Sequence, residues 1–281
     1  MNILLTLLIY LLILWLGASI GSFLSVVVHR VPAGLSIVHP SSRCPKCGHP
    51  LTLNENIPVL GWLWLKGRCS ACRTPIPVRY PLLEAGSGIV FVLIFALFGV
   101  SWETVGYWTF FSWLLALALI DIDTMTLPNS LTQSGLVAGL GFQALLGLSA
   151  TASLAGSIQQ LMDGVLGAVL GIWLVDAIAI VGTVALGQAA MGGGDAKLSA
   201  MMGAWIGWKL LLLAGFLACA MGAFAGGTAI ALGLLNRRQP FPFGPFLALG
   251  GFIAAIWGNG IITFYLQLFF PTLEYYSRYH R

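Results

Sequence analysis

The sequence is poor in charge. Of its 281 residues only 8% are Asp, Glu, Lys or Arg, against roughly 25% in a soluble globular domain. Apolar residues make up 58% and the mean hydropathy is +0.93, a balance that excludes a water-soluble fold. No basic residue precedes the first apolar run, Ile3 to Val28. That run is also longer than the apolar region of a removable signal, so it reads as a retained span.

What the chain has in quantity is long apolar stretches. A bilayer core of about 30 Å asks for about 20 mostly apolar residues per helix. After the first span, candidates run from Leu82 to Val100, Val105 to Ile120, Leu131 to Leu148, Gly164 to Leu186, Leu210 to Leu235 and Phe246 to Phe270. A shorter stretch, Leu198 to Trp208, is an eighth candidate; if it crosses, both termini lie on one side. The expected class is therefore all-α and polytopic, with about eight transmembrane helices. Lys and Arg gather on the cytoplasmic side of such proteins. The segment from His29 to Tyr80 carries Arg30, Arg43, Lys46, Lys66, Arg68, Arg73 and Arg79, which places it inside. With eight spans Lys197, Arg237 and Arg238 also fall inside, and only Lys209, Arg278 and Arg281 fall outside. Topology thus accounts for the net charge of +4, and no nucleic-acid partner is expected; the partner everywhere else is membrane lipid.

Four of the five cysteines form Cys44-Pro45-Lys46-Cys47 and Cys69-Ser70-Ala71-Cys72. Two CxxC knuckles at this separation suit a tetrahedral Zn2+ site, because each knuckle lets two thiolates converge on one ion. Gly48, Gly67 and Ser70 suit the tight turns around such knuckles. A pair of disulfides is the alternative, and the cytoplasmic placement argues against it. Four thiolates close the coordination shell, so the expected role is structural. His39 and His49 read as surface residues, and Cys219 as a small hydrophobe packed in its span. The chain then divides into a first transmembrane helix over 1-28, a cytoplasmic zinc-binding loop over 29-80 and a multi-helix membrane domain over 81-281.

Asp121, Asp123, Asp163, Asp176 and Asp195 lie at or within membrane segments, where an ionisable group is costly and marks function by default. Asp121 closes an apolar run before a turn at Pro128-Asn129. Asp195 follows Met191-Gly192-Gly193-Gly194, whose glycines allow a close approach of another segment or of an extended substrate. The span count puts both on the cytoplasmic face. If two such carboxylates act together, one ionised group activates a water while its protonated partner polarises a peptide carbonyl, giving hydrolysis without metal or covalent intermediate. The competing readings are turn acids, helix capping by Asp195, an ion-coupled transporter using Asp121, Asp176 and Asp195, and a membrane scaffold built on the metal module. Transporters often carry inverted repeats, and none is convincing here.

The chain resembles the bacterial type IV prepilin peptidases, members of the GxGD class of intramembrane aspartic proteases that also includes presenilin. The resemblance rests on Gly21-Ser22-Phe23-Leu24-Ser25 through Val31-Pro32, the paired knuckles, Asn56-Ile57-Pro58-Val59, Arg79-Tyr80-Pro81-Leu82-Leu83-Glu84, the Asp121 to Asn129 stretch and Gly192-Gly193-Gly194-Asp195. It implies cleavage of the basic leader from prepilins or pseudopilins of type IV pilus, type II secretion or competence systems, in the inner membrane. It also implies N-methylation of the new N terminus from S-adenosylmethionine by the same protein, and makes residues 81-281 the peptidase domain. On this resemblance Asp121 and Asp195 are catalytic, and Asp123, Gly192 and Gly194 are auxiliary. Ser25 departs from the pattern, which commonly has asparagine there. No dinucleotide-type glycine fingerprint stands in the chain, so methylation rests on the resemblance alone.

Overall fold

The computed structural model describes residues 3–187, 192–234, 236 and 241–269. Met191, Leu235, Arg237, Arg238, Phe270, Arg278 and Arg281, which enter the expectations above, lie outside them. Among the described residues the regular structure is helical: α1 (Ile3–Arg30), α2 (Leu60–Trp64), α3 (Arg79–Phe98), α4 (Trp102–Thr124), α5 (Asn129–Thr151), α6 (Leu154–Leu186), α7 (Gly193–Ala231) and α8 (Gly244–Phe269). All but α2 are long and apolar enough to cross a membrane. The helices fall into two compact units, Met1–Pro128 and Asn129–Arg281.

In the first unit α1, α3 and α4 pack on one another. Small residues set the distance between α1 and α3. A Cβ on Gly17 would lie 2.7 Å from Phe91 Cβ, and one on Gly88 would lie 2.8 Å from the Leu14 carbonyl, so the two backbones touch where a larger residue would part them. Phe91 then stacks on Trp108 of α4 at 5.1 Å, and the Trp108 indole donates to the Phe91 carbonyl at 2.9 Å. Ser101 opens α4 as its N-cap, accepting from the Thr104 amide at 3.2 Å, with Glu103 in the first turn where an acid is favoured.

The second unit holds α5 to α8. Its α6 begins at Leu154, well before the expected Gly164, because Ser153 caps it by accepting from the Gly156 amide. Gln159 and Gln160 in its early turns hide that start from a hydropathy reading. The stretch Leu198 to Trp208 falls on the first part of α7, whose 39 residues form two helices joined across a kink at Gly207 (φ 71°, ψ 173°). The part before the break is the most deeply buried segment of the unit, with Leu198, Met201, Met202 and Ala204 fully enclosed. The break removes helical partners from nearby carbonyls, and buried Gln143 of α5 supplies one by donating to the Trp205 carbonyl at 2.9 Å. The Trp205 indole returns a bond to the Gly135 carbonyl at 2.8 Å.

Candidate active site and metal centre

The two knuckles are copies of one turn. The Cys44 amide donates to the His49 carbonyl and the Cys69 amide to the Thr74 carbonyl, both at 2.9 Å. Each is closed by a one-pair antiparallel bridge, Arg43 with Pro50 and Arg68 with Pro75. Each places a left-handed residue at the same position, Gly48 (φ 72°) in the first and Arg73 (φ 58°) in the second. Together they bring the four Cys sulfurs within 4.8 Å of one another. The Cys44–Cys72 and Cys47–Cys69 sulfurs are 3.8 and 3.9 Å apart. Thiolates about 2.3 Å from the centre of a tetrahedron are about 3.8 Å apart, so this donor set fits a metal and is far too open for disulfides. All four are free thiols. The Thr74 hydroxyl and amide, both on the Cys72 sulfur, hold that thiol down at about 6.

The surroundings of the knuckles agree with the reading of His49 as a non-ligand and of Gly67 as a turn residue. His49 stands outside the sulfur group, 3.5 Å from Glu55, and Gly67 lies under the Trp62 ring. The Trp62 indole donates to the Ile76 carbonyl at 3.1 Å. The Ser70 hydroxyl and the Thr52 amide hold the Glu55 carboxyl down at about 2. Cys219 differs from expectation: it is exposed on α7 because it falls on a flank where Phe216 and Ala220 are also outward.

Two motifs far apart in sequence lash this loop to the helices. The Val59 amide donates to the Glu84 carboxylate of α3 at 2.7 Å, and Val59 itself has a positive φ (φ 62°, ψ −51°) just before α2. One turn earlier on α3, Arg79 donates to Asp123 of α4 at 2.7 Å. Asp123 is therefore an ion-pair partner, a relation that sequence reasoning missed. Around these groups, at the matching ends of α1, α3 and α4, lies an open cavity of about 590 Å³ whose polar lining is Ser25, His29, Arg79, Tyr80, Asp123 and Thr124.

Asp121 precedes Asp123 by two residues, about 200° around the helix, and so points elsewhere. It is buried, at 6% exposure, in the last turn of α4. Met125, in the left-handed conformation (φ 50°), ends the helix by donating its amide to the Asp121 carbonyl at 2.8 Å. The Thr124 hydroxyl donates to the Ile120 carbonyl at 2.8 Å. The helix thus runs past Asp121 before the turn to Pro128, and Asn129 already begins α5.

Asp195 lies in the second unit, at 7% exposure, in the first turn of α7. Gly192, with extended backbone (φ −82°, ψ 146°), is the N-cap, and Gly193 and Gly194 form the turn below the carboxylate. Asp195 does not cap the helix itself, as the bland reading had it; it sits three positions in, where a carboxylate meets the positive end of the helix. Lys197 donates to Asn129 Oδ1 at 2.8 Å, joining this turn to the start of α5. Ser199, one turn beyond Asp195, is 2% exposed and its hydroxyl has no hydrogen-bond partner among the described residues. Asp176 is exposed on α6, and Asp163 is half-buried beside the Gly207 break.

A polytopic helical protein with a four-cysteine module and buried carboxylates at two helix ends is the class these features define. Residues 15–98 match the bacterial peptidase A24 N-terminal domain and residues 108–227 match the type IV leader peptidase family. Three relatives, each named prepilin leader peptidase/N-methyltransferase, illustrate the likeness. One from Aeromonas hydrophila is 36% identical over 92% of this chain and 94% of its own length. One from Stutzerimonas stutzeri is 36% identical over 90% and 92%, and one from Burkholderia pseudomallei (strain K96243) is 37% identical over 90% and 86%. No solved structure matches the chain. The chain belongs to the type IV leader peptidase family.

Proposed function

We propose that this protein removes the leader from type IV prepilins or pseudopilins and then methylates the N terminus so exposed. The observation that carries the reading is the likeness, along nine-tenths of the chain, to enzymes named for both activities. Asp121 and Asp195 carry the hydrolysis. One carboxylate, ionised, takes a proton from a water that attacks the scissile carbonyl. The other, protonated, donates to the carbonyl oxygen as the tetrahedral intermediate forms, and a proton then passes to the leaving amine. Burial of both acids at helix ends suits this chemistry, because a water-poor setting strengthens every charge interaction on the path. Gly192 and Gly194 serve the turn that presents Asp195.

The enzyme sits in the bacterial inner membrane with the cysteine module in the cytoplasm. The seven basic residues from Arg30 to Arg79 support that orientation. Alternate crossing from there brings the end of α4 and the start of α7 to the cytoplasmic face, the depth at which a basic leader joins an apolar helix. Zn2+ is the ion that four thiolates at tetrahedral spacing suit best, held by Cys44, Cys47, Cys69 and Cys72. A closed shell leaves it no open position, so it folds the loop and takes no part in hydrolysis. S-adenosylmethionine supplies an electrophilic methyl group when bound, and the donor set of the cavity at the ends of α1, α3 and α4 fits it. No observation favours an ion-coupled transporter. The test is mass spectrometry of a prepilin incubated with the purified protein in liposomes, with and without S-adenosylmethionine. Loss of the leader, and the added mass of one methyl group only when the methyl donor is present, is expected; an intact prepilin would overturn the reading.

A further inference from the structure

The cavity at the ends of α1, α3 and α4 has a composition that narrows its ligand. It is about 590 Å³, within the range of sites for molecules of cofactor size. Its charged lining is a single cation and a single anion, Arg79 and Asp123, already paired at 2.7 Å. Each is only partly exposed, at 46% and 35% of its side chain. An ion pair lining a cavity is complementary to a zwitterion, whose carboxylate takes the guanidinium in a forked hydrogen bond and whose ammonium takes the carboxylate. Tyr80 adds an aromatic face suited to a purine, and Ser25 and Thr124 add hydroxyls suited to a ribose. The α-amino acid end, the sugar and the adenine of S-adenosylmethionine present those three chemistries in one molecule.

Position supports the same ligand. Asp123 and Thr124 line the cavity from the last turn of α4, the turn that also carries Asp121. Asp121 faces about 200° away from Asp123 on that turn, so a peptide cut at Asp121 would release its new amine about one helix diameter, roughly 10 Å, from the cavity wall. The freed N terminus then has only to pass round the end of α4 to reach a methyl donor held there. The neutral amine's lone pair forms a bond to the methyl carbon, the carbon–sulfur bond breaks with its electrons going to sulfur, and a nitrogen-bound proton leaves to the solvent that reaches this open site. The products are the methylamine and a neutral thioether.

We propose that this cavity is the methyl-donor site, with Arg79 and Asp123 holding the zwitterionic methionyl end and Tyr80 the adenine. The proposal rests on the reading of the protein as an N-methyltransferase. It is tested by equilibrium binding of S-adenosylmethionine to the purified full-length protein in detergent micelles, with prepilin cleavage measured on the same preparations. Arg79→Gln is expected to weaken binding at least tenfold. The exchanged pair Arg79→Asp with Asp123→Arg keeps an ion bridge between α3 and α4 but inverts the charges offered to the ligand, and binding is expected to stay lost. Wild-type affinity in either variant would overturn the proposal while leaving the methyltransferase reading intact. Recovery of binding in the exchanged pair would reduce Arg79 to a structural tie and overturn the proposal likewise. A wild-type protein that cleaves prepilin and binds no methyl donor would overturn both.

Discussion

Lys197 Nζ donates to Asn129 Oδ1 at 2.8 Å, so the turn of α7 that follows Asp195 is tied to the first residue of α5. The bond is exposed and joins a flexible side chain, which limits it to about 1 kcal/mol. Its value lies in position. Lys197→Met is expected to lower kcat for leader cleavage by up to about fivefold with little change in KM, while Lys197→Arg retains most of the rate. Equal rates for Met and wild type would remove Lys197 from any positioning role.

The proposed structural Zn2+ site makes the fold of the cysteine module depend on a bound ion. Replacing Cys44 and Cys72 together by serine removes one ligand from each knuckle, and the loop between Arg30 and Arg79 has little buried core to replace the lost bonds. Metal analysis should show loss of zinc, and thermal melting should show a lower midpoint. Unchanged metal content and melting would contradict a structural site.

The repeated turn gives a paired prediction. Gly48 and Arg73 occupy the same left-handed position in the two knuckles, at φ 72° and 58°. A side chain there costs about 1 kcal/mol or more. Gly48→Ala should lower the midpoint of loop unfolding by that order, whereas Arg73→Gly should be neutral or slightly stabilising. A loss of similar size in both would show that the turn is not shared.

Glu55 links the module to pH. Its carboxyl is held at about 2 by the Ser70 hydroxyl and the Thr52 amide, against an ordinary value of 4.5. A lowered folded-state value means stability that is fully present above about 4.5 and is lost as pH falls toward about 2. Glu55→Gln should therefore melt below wild type at neutral pH, and the gap should close through that acid window. A gap of constant size from pH 7 to pH 3 would point to lost packing instead.

Much of this architecture was legible because the bilayer imposes its length on sequence. Runs such as Leu82 to Val100, and Phe246 to Phe270 as far as it is described, coincide with α3 and α8 with ends displaced by a few residues. The cysteine knuckles were legible because two CxxC pairs at this separation form a recognisable four-thiol pattern, and the structure brings their sulfurs together. Other features were hidden for physical reasons. The start of α6 is polar, and its signal is the cap at Ser153 rather than hydropathy. The separation of Leu198 to Trp208 from the following run was legible in outline, and the structure adds the place of the break, the kink at Gly207 that divides α7 into two helices. The partners Arg79 and Asp123, or Val59 and Glu84, are 44 and 25 residues apart, and a single chain carries no trace of such pairings. Their one signal was the presence of Asn56 to Val59 and Arg79 to Glu84 among the motifs of the family resemblance. For Asp121 and Asp195, the sequence marked costly acids at span ends, and the structure adds their burial and the left-handed Met125 and extended Gly192 that bracket them.

The measurement that bears most directly on the central claim is leader cleavage by Asp121→Asn and Asp195→Asn, each purified to freedom from wild type and checked for insertion and melting midpoint. Asparagine keeps the shape of the side chain and removes its ability to exchange a proton. Both variants should fold as wild type does and lose cleavage by at least a thousandfold, on the order expected when a general acid or base is removed. A folded variant of either kind that still cleaves at the wild-type rate would contradict the account.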